Sequence, residues 1–145
     1  MIKFTPEQET ILKANFEKHG EAFMRDKLVE ELSELLCELC KHKTKGNRIT
    51  QISEEFADVC VVLKQFGIEI PSKSNTLCNV NGLIDLVSIY LNGVIKKRPF
   101  QINRMRHFFS SLLHIDFDYV QSTIDAKIIK MEGKQNQSLP YEVNH

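Results

Sequence analysis

Four carboxylates between residues 27 and 66 carry the clearest chemical potential in this chain. Glu31 and Glu34 stand about one helical turn apart, as do Glu55 and Asp58, and a basic loop separates the two pairs. At about 100° per residue, Leu28, Val29, Leu32, Leu35, Leu36, Leu39 and Cys40 form one apolar stripe on the first segment. Glu31 borders that stripe, and Glu34 and Glu38 lie just beyond it. On the second segment the stripe is Ile52, Phe56, Val59, Cys60, Val62, Leu63 and Phe66. Glu55 falls inside it, between the directions of Val59 and Val62, and Asp58 sits at its edge.

A carboxylate inside an apolar stripe costs several kcal/mol unless its charge is compensated. If the two helices pack antiparallel through their stripes, all four carboxylates converge, and four like charges need cations between them. Mg²⁺ suits this set, because it takes hard oxygen ligands and keeps positions for water and phosphate. Mn²⁺ is the natural substitute. Nothing in the quartet offers the imidazole or thiolate that favours zinc. Two plainer readings stand beside this one: the four are ordinary helix-face charges, or Glu55 is a structural group paired with a cation such as Lys27.

The run Glu31-Leu-Ser-Glu34, a basic loop, then Glu55-Phe-Ala-Asp58 resembles the ExxE…ExxD signature of the all-α nucleoside triphosphate pyrophosphohydrolases. That superfamily includes MazG-like proteins, dimeric dUTPases and phosphoribosyl-ATP pyrophosphohydrolase. Leu28-Val29-Glu30-Glu31 and Glu54-Glu55-Phe56-Ala57-Asp58-Val59 carry the likeness further. It covers residues 25 to 66 and little outside them.

The resemblance implies an all-α antiparallel bundle with a MazG-like four-helix core, and cleavage of a nucleoside triphosphate to monophosphate and pyrophosphate. It implies Glu31, Glu34, Glu55 and Asp58 as ligands of two or more Mg²⁺ ions, and a homo-oligomer, dimer or tetramer. The triphosphate adds roughly four negative charges of its own, so basic side chains are needed as well. Lys41, Lys43, Lys45 and Arg48 lie between the helices, and Lys127 and Lys130 lie on the last helical segment. Of these, Lys43, Lys45, Arg48, Lys127 and Lys130 are the expected substrate contacts, against the plainer reading of solvated lysines. Glu38, one turn past Glu34, is the candidate to orient or deprotonate water, against an exposed helix charge. Phe23 and Phe66 are near enough to stack on a base, although both read first as core.

The elements that must position these groups follow from periodicity. Thr5-Pro6-Glu7 starts a helix that closes at His19-Gly20. A second helix runs from about Glu21 to His42, and Gly46-Asn47 marks the turn. A third runs from about Ile49 to Phe66. Residues 67–81 read as a connection. Helical periodicity returns from Gly82 to about Arg98, over about Gln101–His114, and over about Phe117–Met131, with a polar, frayed tail at 132–145. That makes five or six helices and one domain over residues 1–145. Residues 83–98 align with 28–43, and the helix after them with the region around 52–59. The 82–114 pair thus reads either as a degenerate copy of the carboxylate hairpin 21–66 or as chance amphipathic similarity. Leu86, Ile89, Phe108 and Ser111 fall where the copy would need carboxylates.

The chain has 145 residues, 42% of them hydrophobic and 26% charged, with zero formal net charge. A neutral balance argues against a molecule built to attract nucleic acid or an anionic membrane surface. No apolar run is long enough for a transmembrane helix, and MIKFTPEQET shows no signal-peptide pattern. A cytoplasmic location is the default expectation, with its four cysteines reduced. Cys37-x-x-Cys40 with His42 lacks a second pair to complete a zinc site, so Cys40 and Cys60 read as small buried hydrophobes. One reading of another class exists. Lys96-Lys97-Arg98-Pro99 with Arg104, Arg106 and His107, beside Phe108 and Phe109, fits a non-enzymatic helical nucleic-acid-binding or adaptor protein. It leaves Glu55 without a purpose.

Overall fold

The structure, a computed structural model, describes residues 2–70, 79–97 and 115–143. Five helices and no strand stand among the described residues: α1 (Pro6–His19), α2 (Glu21–Lys45), α3 (Ile49–Gln65), α4 (Val80–Ile95) and α5 (Phe117–Val143). The chain is an all-α helix bundle. None of these helices is long and apolar enough to cross a membrane.

The start of α1 and the junction of α2 with α3 have local causes. Thr5 caps α1 reciprocally: its hydroxyl accepts from the Gln8 amide at 3.1 Å, and the Gln8 side chain accepts from the Thr5 amide at 2.9 Å. The turn between α2 and α3 reverses the chain in three residues. It does so through Gly46 at φ 72° and Asn47 at φ 56°, a region that glycine and asparagine tolerate best. Beyond that turn, the Arg48 amide donates to His42 Nδ1 at 3.2 Å. The Arg48 guanidinium grips Glu38 Oε2 through Nη2 at 2.7 Å and Nε at 2.9 Å. Arg48 and Glu38 thus fasten the start of α3 to the last turns of α2.

α3 is the centre of the bundle. Ile52, Ser53, Phe56, Ala57 and the run Val59–Leu63 are all buried. A helix with so broad a buried face needs neighbours on several sides. α2, α5 and α1 supply them, while α4 packs on α2. α5 is tied to α1 by Gln8 Nε2 donating to Asp125 Oδ1 at 2.8 Å, and to the N-terminal segment by Lys3 N–H donating to Gln121 Oε1 at 2.8 Å.

Three expectations need correction. Cys40 is exposed, as is Cys37, and only Cys60 of these is buried; the buried stripe of α2 is narrower than the wheel suggests, centred on Leu28, Leu32, Leu35 and Leu39. The last helix does not stop at Met131 but continues to Val143. Gln135 shows why polar composition misleads there, since its Nε2 donates to the Ile11 carbonyl at 3.2 Å and ties the extra turns to α1. α4 begins at Val80 because Asn79 caps it, its Oδ1 accepting from the Gly82 amide at 2.8 Å. The expected 101–114 helix, Cys78, and Phe108 and Ser111 of the suspected repeat lie outside the described residues. So does the basic cluster beyond Lys96 and Lys97, both of which are exposed.

Phe56 is fully buried and meets Phe117 edge-on, with ring centroids 6.2 Å apart. Phe56→Ala is expected to cost about 3–5 kcal/mol in a denaturant titration. A loss below about 1 kcal/mol would show that the core is not centred on α3.

A candidate metal centre beside a basic cleft

The short turn makes α2 and α3 antiparallel, and the side chains follow suit: Glu34 stands against Glu55, while Glu31 faces the Asp58 charge. One carboxylate oxygen from each of Glu31, Glu34, Glu55 and Asp58 lies within 4.8 Å of the other three. The structure therefore brings together the four residues that the sequence singles out.

Their surroundings are unequal. Glu31 carries Lys27 at 3.4 Å from its own helix, and Asp58 is paired with Lys127 of α5. Among the described residues no ion pair reaches Glu34 or Glu55. Lys27 serves Glu30, at 3.2 Å, and Glu31, so the alternative in which it neutralises Glu55 is not what the structure shows. Glu31 Oε2 and Glu55 Oε2 are buried with no hydrogen-bond partner. A buried carboxylate oxygen without a donor is costly.

The electrostatics follow from that crowding. Burial, then the Asp58 and Glu34 charges, push the Glu31 carboxyl up to about 7, against the opposing pull of Lys27. Burial, the hydrogen bond with Glu34 and the Asp58, Glu34 and Glu31 charges push Glu55 up to about 8. Each group resists ionisation because it is partly buried and its neighbours are anions. A divalent ion would reverse that preference.

The donor set fits a hard cation. All four groups are carboxylates, two of their oxygens have no other partner, and the spread of 4.8 Å is close to the geometry an ion needs. Oxygens on opposite sides of Mg²⁺ stand about 4.2 Å apart at the usual bond length of about 2.1 Å.

A cleft of about 450 Å³ opens beside Glu31 and Asp58, between α1, α2, α3 and α5. Lys127 and Lys130 line it, as the sequence suggests, and so do Lys27 and Lys134. Lys134 went unmarked in the sequence because it falls in the stretch that reads as tail; with Lys127 and Lys130 it makes one helix face. Phe23 also lines the cleft, whereas Phe66 does not: it packs edge-on against Phe16, with centroids 5.3 Å apart.

Glu38, Lys43, Lys45 and Arg48 are not brought to this place. Lys43 and Lys45 are exposed at the far end of α2. Burial alone would raise the Glu38 carboxyl, but Arg48 and Lys41 outweigh it and hold the group below its ordinary value. Glu38 is therefore a poor proton acceptor where it sits, and Arg48 is already committed to it.

The raised carboxyls set a pH dependence. With a chelator present, Glu31 and Glu55 hold protons in the fold that they release in the unfolded chain above about 4.5. Their contribution is whole below that value and is lost as pH rises through about 7 and 8. Melting in EDTA is thus expected to fall between pH 5 and pH 8, by the linkage of protons to folding, on the order of a few degrees. Glu55→Gln should flatten that fall and melt higher than the parent at pH 8. A variant that melts lower there would mean that a cation of the protein holds Glu55.

No protein-family model, curated protein or solved structure matches the chain; its chemistry has to be read from these side chains themselves.

Proposed function

We propose that this chain is a Mg²⁺-dependent nucleoside triphosphate pyrophosphohydrolase, releasing pyrophosphate and a nucleoside monophosphate. The observation that carries the reading is the convergence of Glu31, Glu34, Glu55 and Asp58, with Glu31 buried and two carboxylate oxygens orphaned, beside a cleft lined by four lysines. The ExxE…ExxD resemblance supports it from the sequence side.

When bound, divalent ions polarise phosphate oxygens and make water a better nucleophile at neutral pH. Glu31, Glu34, Glu55 and Asp58 hold them. Lys127, Lys130, Lys134 and Lys27 offset the charge of the triphosphate and orient it against the carboxylates. Such orientation is a large part of phosphoryl-transfer catalysis. Lys127 stands nearest, because it already pairs with Asp58. Glu38 and Arg48 serve the hairpin rather than the substrate. Lys43 and Lys45, exposed and outside the cleft, act only through long-range attraction, which salt screens over about 8 Å at physiological ionic strength.

A nucleotide panel with Mg²⁺, scoring pyrophosphate against orthophosphate, is the direct test. Pyrophosphate release is the expected result, and Glu55→Gln should abolish nearly all of it while the protein stays folded. Lys127→Ala with Lys130→Ala should raise KM about tenfold or more, as lost charge-assisted contacts do. Neutralising Lys43 and Lys45 should move KM far less, and only at low salt. Orthophosphate release, or an unaffected Glu55→Gln variant, would remove the reading.

The homo-oligomer belongs to the same proposal. α4 leaves Ile89 60% and Ile95 57% exposed, side chains that a second copy could cover. Sedimentation velocity should show a dimer or larger; a single species at the chain mass of 16.8 kDa would argue against it.

A further inference from the structure

We infer that the end of the cleft remote from the carboxylates is a nucleobase subsite formed by Phe23, His19, Asn15 and Gln65. The inference rests on the pyrophosphohydrolase reading and adds to it: the substrate bears a base that the protein grips, unlike an inorganic polyphosphate.

The cleft has a direction. On α2, Phe23, Lys27 and Glu31 follow one another at four-residue intervals along one face. On α3, Asp58, Val62 and Gln65 do much the same. Because the helices are antiparallel, both change character the same way, from carboxylate through an intermediate group to a flat or amide side chain. Glu31 and Phe23 are separated by eight residues, roughly 12 Å of helix. A nucleoside triphosphate has this order of chemistry, with oxyanions at one end, a sugar between and a flat heteroaromatic ring at the other.

Phe23 is 49% exposed, which is unusual for a ring with a helix stripe available to it. It lies against His19, with ring centroids 4.5 Å apart and planes 20° from parallel. Both rings line the cleft. The imidazole holds the phenyl ring in place, so a base stacking beside them has less side-chain freedom to freeze.

Asn15 and Gln65 supply an edge for hydrogen bonding. Gln65 Nε2 donates to the Val61 carbonyl at 3.1 Å, which turns Gln65 Oε1 toward Asn15 Nδ2 at 2.9 Å. That chain fixes the orientation of both amides. It leaves Asn15 Oδ1 as an acceptor with no partner among the described residues, and one Gln65 Nε2 hydrogen as a donor. An acceptor beside a donor complements the edge of a base, which pairs the same two functions. An acceptor such as Asn15 Oδ1 has no such work to do on a bare phosphate chain, whose oxygens only accept.

The test compares the best nucleotide of the panel with inorganic tripolyphosphate, both with Mg²⁺. The wild-type protein should favour the nucleotide in kcat/KM. Phe23→Ala should reduce that preference about tenfold, and Phe23→Trp should retain it; Phe23 is exposed enough that neither threatens the fold. Asn15→Ala should flatten discrimination among bases. Calorimetry gives a second readout, in which the matching nucleoside monophosphate should bind Phe23→Ala about tenfold more weakly. A wild-type preference near one, or a preference and monophosphate affinity that Phe23→Ala leaves intact, overturns the base subsite while pyrophosphate release stands. A wild-type protein that hydrolyses no nucleotide overturns both readings together.

Discussion

Like charges held together at a helix–helix contact are the constraint from which much of this structure follows. Glu31, Glu34, Glu55 and Asp58 would separate if their helices were free to slide or splay. Three features prevent it. α3 buries a broad face that includes Phe56 and the run Val59–Leu63, which resists any rotation that would carry its carboxylates outward. The Gly46–Asn47 turn allows no slack between the helices. Lys27 and Lys127 neutralise the two carboxylates that line the cleft, leaving Glu34 and Glu55 without a cation of the protein's own among the described residues. Stability of the bundle is thereby spent on concentrating negative charge, a pattern expected where function and stability compete.

Arg48 and Glu38 illustrate how a charge near a site can belong to the scaffold. In sequence they sit where a catalytic base and a phosphate contact are wanted. In space each is the other's partner, through two contacts to one carboxylate oxygen. An ion pair of this kind, partly buried and bridging two helices, fixes register more than it adds net stability. By holding the hairpin in register it keeps Glu34 opposite Glu55, at a distance from the cleft.

The quartet was legible in the sequence because its information is local. Two pairs one turn apart, on two stripes, joined by a short turn, leave little choice of geometry. The same locality made the bounds of α1, α2 and α3 readable from Thr5, Gly20 and Gly46-Asn47. What was not legible depends on contacts between distant segments. Cys40 reads as core until Leu35 and Leu39 define a narrower stripe. Gln135 reads as tail until Ile11 accepts its hydrogen bond. The lysines of the cleft could not be ranked: Lys43 and Lys127 are equally ordinary on paper, and only the packing of α5 on α3 sets one of them beside Asp58.

The burial of α3 also governs how such a molecule can change. Asp58 and Gln65 reach the cleft from a helix whose run Val59–Leu63 between them is all buried, so most substitutions in that run would unsettle the fold before they altered a ligand. The cleft's remaining walls come from α1, the first turns of α2, and α5, where His19, Phe23, Lys130 and Lys134 are all exposed. Replacements at those positions have small consequences for folding and direct ones for whatever enters the cleft. Reactive groups on an immovable helix and selective groups on a permissive rim let ligand preference drift over generations, or be redesigned in the laboratory, while the carboxylate cluster stays as it is.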